Sequence, residues 1–103
     1  MIAKTLQAPY YAVIFSSLLY ENTKGYSKMA SRMEELAKGQ KGFLGYESAR
    51  EVLGITISYW DSLEAIKNWK LNSEHLLAQK EGKEKWYKTY KVRICKVERD
   101  YEL

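Results

Sequence analysis

The rhythm of apolar and polar positions changes along this chain, and each change marks an element. After an irregular lead-in over residues 1 to 9 that ends at Pro9, the run YYAVIFSSLL (Tyr10 to Leu19) is almost continuously apolar and rich in β-branched and aromatic residues. A run of that kind predicts a buried strand. The turn-rich YENTKGYS follows. Tyr26, Met29, Ala30, Met33, Leu36 and Ala37 then recur at the spacing of one helix face, with Lys28, Arg32, Glu34, Glu35 and Lys38 on the other. Gly39 reads as the C-cap of that helix.

From Gly42 to Glu51 the period drops to two, the mark of a half-exposed strand. Val52 to Gly54 predicts a tight reversal into a second strand, Ile55 to Trp60, so the two form a hairpin. DSLE (Asp61 to Glu64) has capping-box spacing, with Asp61 as N-cap of a helix that turns Leu63, Ile66 and Trp69 inward. Asn72 and Ser73 predict a bend and a fresh N-cap, followed by a helical stretch through Leu76, Leu77 and Lys80 that Gly82 interrupts. A last strand alternates from Tyr90 to Val97 before a charged tail.

The order β-α-β-β-α-β predicts an α+β, ferredoxin-like domain with an antiparallel sheet. Two helices on one face leave the other sheet face bare and apolar, and a second copy of the chain is its simplest cover. A homodimer is therefore expected.

Composition narrows the classes. The 103 residues make one domain, 1–103, and the 46% hydrophobic share is that of a globular protein. The net charge of +4 is spread among acidic residues, which argues against nucleic acid as a partner. KGFLGYES (Lys41 to Ser48) begins like an RNA-recognition signature but departs from it at Leu44, Gly45, Tyr46 and Ser48. The single cysteine, Cys95, permits no internal disulfide and suits a reducing compartment. No CxxC or HExxH spacing occurs, and one histidine cannot build a multi-histidine zinc site. The N-terminal apolar run is too short for a signal peptide or membrane span, so a cytoplasmic location away from membranes is expected.

Few residues carry candidate chemistry. Trp69 offers a wall for a flat aromatic ligand, or fills space between helix and sheet. His75, six residues on, can act as a base or hydrogen-bond donor, or else order a helix start. Ser16 and Ser17 are hydroxyls in an apolar strand and require partners. Tyr11, Tyr46, Tyr59 and Tyr90 lie on strands, where some hydroxyls can position a phenolic oxygen. Trp60 and Trp86 read as structural and Cys95 as an inert thiol.

The hairpin ending ITISYWDS, the helix EAIKNWKLNSEH and the strand YKVRICKVERD resemble the antibiotic biosynthesis monooxygenase (ABM) domain, in its YqjZ-like branch. The resemblance runs from about Tyr10 to Arg99. It implies a dimeric α+β barrel with a pocket between sheet and helices in each subunit. It also implies a family in which some members oxidise aromatic substrates with O2 and no cofactor, others degrade haem, and many have no proven activity. Haem-degrading relatives carry an asparagine on the first strand, a tryptophan on the second helix and an iron-ligating histidine ten residues later. Here Trp69 matches, but Gln79 holds the ligand position and Ser16 and Ser17 occupy the first-strand site. His75 lies on a helix face rotated by about 40° from that of residue 79. The ring-oxidising members pair a tryptophan with an asparagine four residues earlier, where this chain has Ala65.

The expectation is thus a cofactor-independent, monooxygenase-like homodimer that takes an aromatic or quinone-like small molecule. His75 and Trp69 would act on it, and Trp69, Ser16, Tyr59 and Tyr46 would line its pocket, with no metal. A haem protein and a non-catalytic binding or stress-related module are the alternatives.

Overall fold

A computed structural model describes residues 1–79 and 82–103, the side chains of 78–83 excepted; the helical position given to Lys80 and the side chain of Gln79 lie outside the described residues. The elements are β1 (Tyr10–Leu19), α1 (Tyr26–Lys38), β2 (Phe43–Arg50), β3 (Gly54–Trp60), α2 (Leu63–Gln79), α3 (Gly82–Lys85) and β4 (Tyr87–Val97). They form one antiparallel sheet in the order β2-β3-β1-β4, with the helices on one face, as the ferredoxin-like reading requires.

Register decides which residues share a face, because directly opposed residues in an antiparallel pair point the same way. Tyr11 opposes Trp60 and Lys96, Val13 opposes Ser58 and Ile94, and Phe15 opposes Thr56 and Val92. These rows face the helices. Two apolar clusters fill the interface. In one, Met29, Leu77, Trp86 and Tyr87 gather Phe15, Leu19, Tyr26 and Tyr90. In the other, Ala37, Trp60, Ala65 and Ile66 gather Tyr11, Val13, Phe43 and Trp69. Trp60 is completely buried, and its indole donates to the Ser58 hydroxyl at 2.8 Å, so its one polar atom is satisfied inside the core.

Local chemistry explains most of the boundaries and corrects some expected ones. α1 begins after Gly25, whose φ of 89° is left-handed and whose missing side chain leaves room for the Trp86 ring, 3.3 Å from where a Cβ would stand. α2 is capped by Ser62 rather than Asp61: the Ser62 Oγ accepts the Ala65 N–H at 3.1 Å. The expected break at Asn72 and Ser73 does not occur. Asn72 donates to the Asn68 carbonyl, and Ser73 to that of Lys70. Both side chains therefore bond back within the helix, which α2 carries unbroken to Gln79. β3 starts at Gly54, within the predicted reversal, and β4 at Tyr87, three residues before the predicted start.

The face away from the helices is less bare than expected. The lead-in crosses it at β2, where the Ala3 N–H donates to Glu47 and Ala3 lies against Gly45. Ile14 and Ile57 are half-buried there, while Arg93 and Cys95 on β4 are exposed. Among the described residues no helix is long and apolar enough to cross a membrane.

Candidate functional site

The residues singled out from the sequence separate onto different surfaces. Trp69 is half-buried under α2 and stacks on Trp60, with ring centroids 5.7 Å apart and planes inclined by 25°. His75 is exposed. Six residues of helix turn it about 120° away from Trp69, and nine place it about opposite the buried Ile66, so the structure does not bring His75 and Trp69 to one wall. Tyr46 opposes Ser58 and therefore lies on the helix face, where its hydroxyl meets Glu34 of α1; burial, then that carboxylate, raises its pKa. Tyr59 lies on the opposite face. Its hydroxyl donates to Glu47 at 2.6 Å, and burial together with that carboxylate pushes its pKa up strongly. Tyr10 packs edge-on against Tyr59 at 5.8 Å and donates to Asp100, which raises its pKa as well. Ser16 lies on Tyr59's face, toward the other end of the strand, since it opposes Ile55 and Lys91. No single cavity can hold Trp69, Tyr46, Tyr59 and Ser16 together.

What the structure assembles instead is an apolar strip on the helix side. Val92 and Ile94 of the edge strand β4 belong to the rows of Phe15 and Val13, yet they are 47% and 52% exposed. The helix layer covers β2, β3 and the inner strand β1 but leaves this part of β4 open. Val13, Phe15, Val92 and Ile94 form an aliphatic and aromatic floor whose covered end runs into the Trp60–Trp69 stack. Such a floor can hold a flat apolar ring by burial and stacking and offers it no acid, base or metal ligand. Among the described residues no group of three or more metal-ligating side chains comes together. The alternation of β4 was visible in the sequence, but not that the helices stop short of it.

A second cluster was not foreseen. Arg50, at the end of β2, reaches across Gly54 of β3 to β1, where it donates to the Ser17 hydroxyl and, at 3.4 Å, to the Ser17 carbonyl. A side chain on Gly54 would collide with the guanidinium. The guanidinium also stands 5.7 Å from the Tyr26 ring centre. Tyr87 lies beyond, its pKa raised strongly by burial and by Tyr26, against which Arg50 acts in the opposite sense. The signal in the sequence was a long cation paired through the hairpin with a glycine, Arg50 with Gly54. Beside Ser17 opens a groove of about 330 Å³ lined by Ser16, Leu18, Leu53, Tyr90 and Lys91. A wider groove of about 640 Å³ runs between α1 and α2 over Met29, Leu76 and Trp86.

Comparison with known proteins agrees with this architecture. No protein-family model matches the chain. The uncharacterized protein YqjZ of Bacillus subtilis (strain 168) is 52% identical over 100 residues, spanning 95% of this chain and 88% of its own. Among solved structures, SnoaB, a cofactor-independent oxygenase from Streptomyces nogalater, superimposes with a TM-score of 0.64 at 12% identity over 93% of this chain and 98% of its own. A candidate antibiotic biosynthesis monooxygenase from Nitrosomonas europaea gives 0.66 at 11% identity, over 89% and 92% of the two chains.

Proposed function

The chain belongs to the YqjZ-like branch of the ABM domain family, and from that premise we propose that it is a homodimeric, monooxygenase-like protein that takes a flat aromatic or quinone-like molecule against the open strip. The observation that carries the reading is the exposure of Val92 and Ile94, 47% and 52%, on the face the helices otherwise bury. Exposed apolar residues in line with a buried aromatic stack are what a ring-shaped ligand would cover.

The chemistry on this reading comes from the substrate. An electron-rich phenol supplies all four electrons that reduce O2, one oxygen atom replacing ring hydrogen as a quinone carbonyl and the other leaving as water, and the protein orients the ring and excludes bulk water along Phe15, Val92 and Ile94. The likeness to SnoaB, named a cofactor-independent oxygenase, supports that direction, as does a strip built from apolar side chains. His75 has no place in this mechanism, because it is exposed on the far side of α2 from the buried Ile66. The test is oxygen uptake with a panel of reduced polycyclic phenols, run beside a hemin titration. Uptake above the uncatalysed blank, lost in Ile94→Glu and kept in His75→Ala, is the expected result. No uptake with any phenol, or a saturable Soret shift abolished by His75→Ala, would overturn it.

A further inference from the structure

Resting on that reading of the strip, we propose that its ligand is an anionic ring, held by lysines that border the apolar floor: Lys96 of β4, with Lys67 and Lys70 of α2. The register places the first of these. Tyr90, Val92, Ile94 and Lys96 alternate along β4, so all four side chains leave the strand on the helix side. Lys96 opposes Tyr11, in the row next to that of Ile94 and Val13, and like Val92 and Ile94 it is exposed. Residues two apart on a strand are separated by about 7 Å, a span that a lysine side chain covers.

The helix supplies the facing border. Ile66 is buried against Tyr11 and Val13, and Asn72 donates to Gln40 just after α1, which fixes the flank of α2 that meets α1. At about 100° per residue, Lys70, Leu63, Glu74 and Lys67 lie about 40° to 100° from Ile66 on the flank away from Asn72. That flank overlooks β4, because α1 packs on β2 and α2 on β3, and the sheet continues through β1 to β4. All four residues are exposed. Glu74 is the one acid among them. Among the described residues no carboxylate lies within ion-pair distance of Lys67, Lys70 or Lys96. An apolar floor with a cationic border suits a flat ring that carries a negative oxygen group. The ring is covered by Phe15, Val92 and Ile94, while its charge stays at the wet edge beside the ammonium groups.

The test is an NMR titration of the whole protein with 1-hydroxy-2-naphthoate, with its methyl ester as the neutral control. Both should shift and saturate the methyl groups of Val92 and Ile94, the acid binding about fivefold or more tightly, the scale of one or two exposed ion pairs. Lys96→Gln should lower the affinity for the acid by about two- to fivefold and leave that for the ester unchanged. Lys67→Gln and Lys70→Gln together should do the same. These lysines are exposed, so the variants should keep the fold. Salt at about 0.5 M should erase the advantage of the acid. Equal binding of acid and ester at the strip would overturn the proposal while leaving the ring-binding strip intact, as would an advantage indifferent to salt and to all three lysines. Acid shifts confined to the groove between α1 and α2 would also overturn it. If neither ligand gives a saturable shift at Val92 and Ile94, the strip itself fails and this proposal with it.

Discussion

The geometry around Gly54 makes a single methyl group informative. Adding one there evicts the Arg50 guanidinium from Ser17, so Gly54→Ala should cost about 1.5–3 kcal/mol, the scale of a lost hydrogen bond to a charged group. Urea unfolding checks this, and in an Arg50→Ala background the same substitution should cost much less, because the clash is gone. Tyr87 gives a prediction in pH. Burial and the Tyr26 neighbour raise its pKa above the ordinary value of 10.0, so the fold holds the neutral phenol. Below pH about 10 both folded and unfolded chains keep the proton and the contribution is complete. Above it the unfolded chain ionises first, and stability falls by at most about 1.4 kcal/mol per pH unit from this residue. Tyr87→Phe should therefore flatten the alkaline loss of stability measured by urea unfolding between pH 9 and 11. A variant as steep as the wild type would contradict the assignment.

Among the elements, α2 shows where sequence reasoning succeeds and where it stops. Its existence and inner face were legible from Ile66, Trp69, Leu76 and Leu77, because the helical period is carried by buried side chains. Its cap and its continuity were not. Asp61 and Ser62 are both good capping residues, and only the direction of the chain leaving Trp60 decides that Ser62 reaches the Ala65 N–H. Asn72 and Ser73 have the composition of a break, yet their side chains find partners on the preceding turn. Ser62→Ala is accordingly expected to destabilise the fold by about 1 kcal/mol, and Asp61→Ala by less. A larger loss at Asp61 in urea unfolding would restore it as the cap. The hairpin pairing is legible in the local pattern, but the consequence of placing Arg50 opposite Gly54 depends on β1 lying next to β3, a long-range fact that no local pattern carries.

For the whole molecule, the alternation of apolar and polar residues was enough to give the β-α-β-β-α-β order and the single antiparallel sheet. The site was much less legible. Tyr46 and Tyr59 alternate by register onto opposite faces, and His75 turns outward by helix geometry, so residues close in sequence part in space. The expected homodimer rests on the face away from the helices, where Ile14 and Ile57 remain half-buried and Ile55 is 38% exposed. Light scattering coupled to size exclusion should show twice the 12.1 kDa chain mass, and Ile57→Lys should shift it toward one chain. A stable monomer would remove the two-sheet barrel while leaving the strip on the helix side untouched.

That strip is the centre of the account, and titration with 1-naphthol, a flat and uncharged ring, tests it most directly. Followed by NMR, the Trp69 indole and the methyl groups of Val13, Val92 and Ile94 should shift together and saturate. Binding should weaken by about tenfold or more in Ile94→Glu, the effect of replacing an apolar wall with a charge. Absence of a saturable shift at these residues, or affinity indifferent to Ile94→Glu, would contradict the claim that this face holds an aromatic ligand.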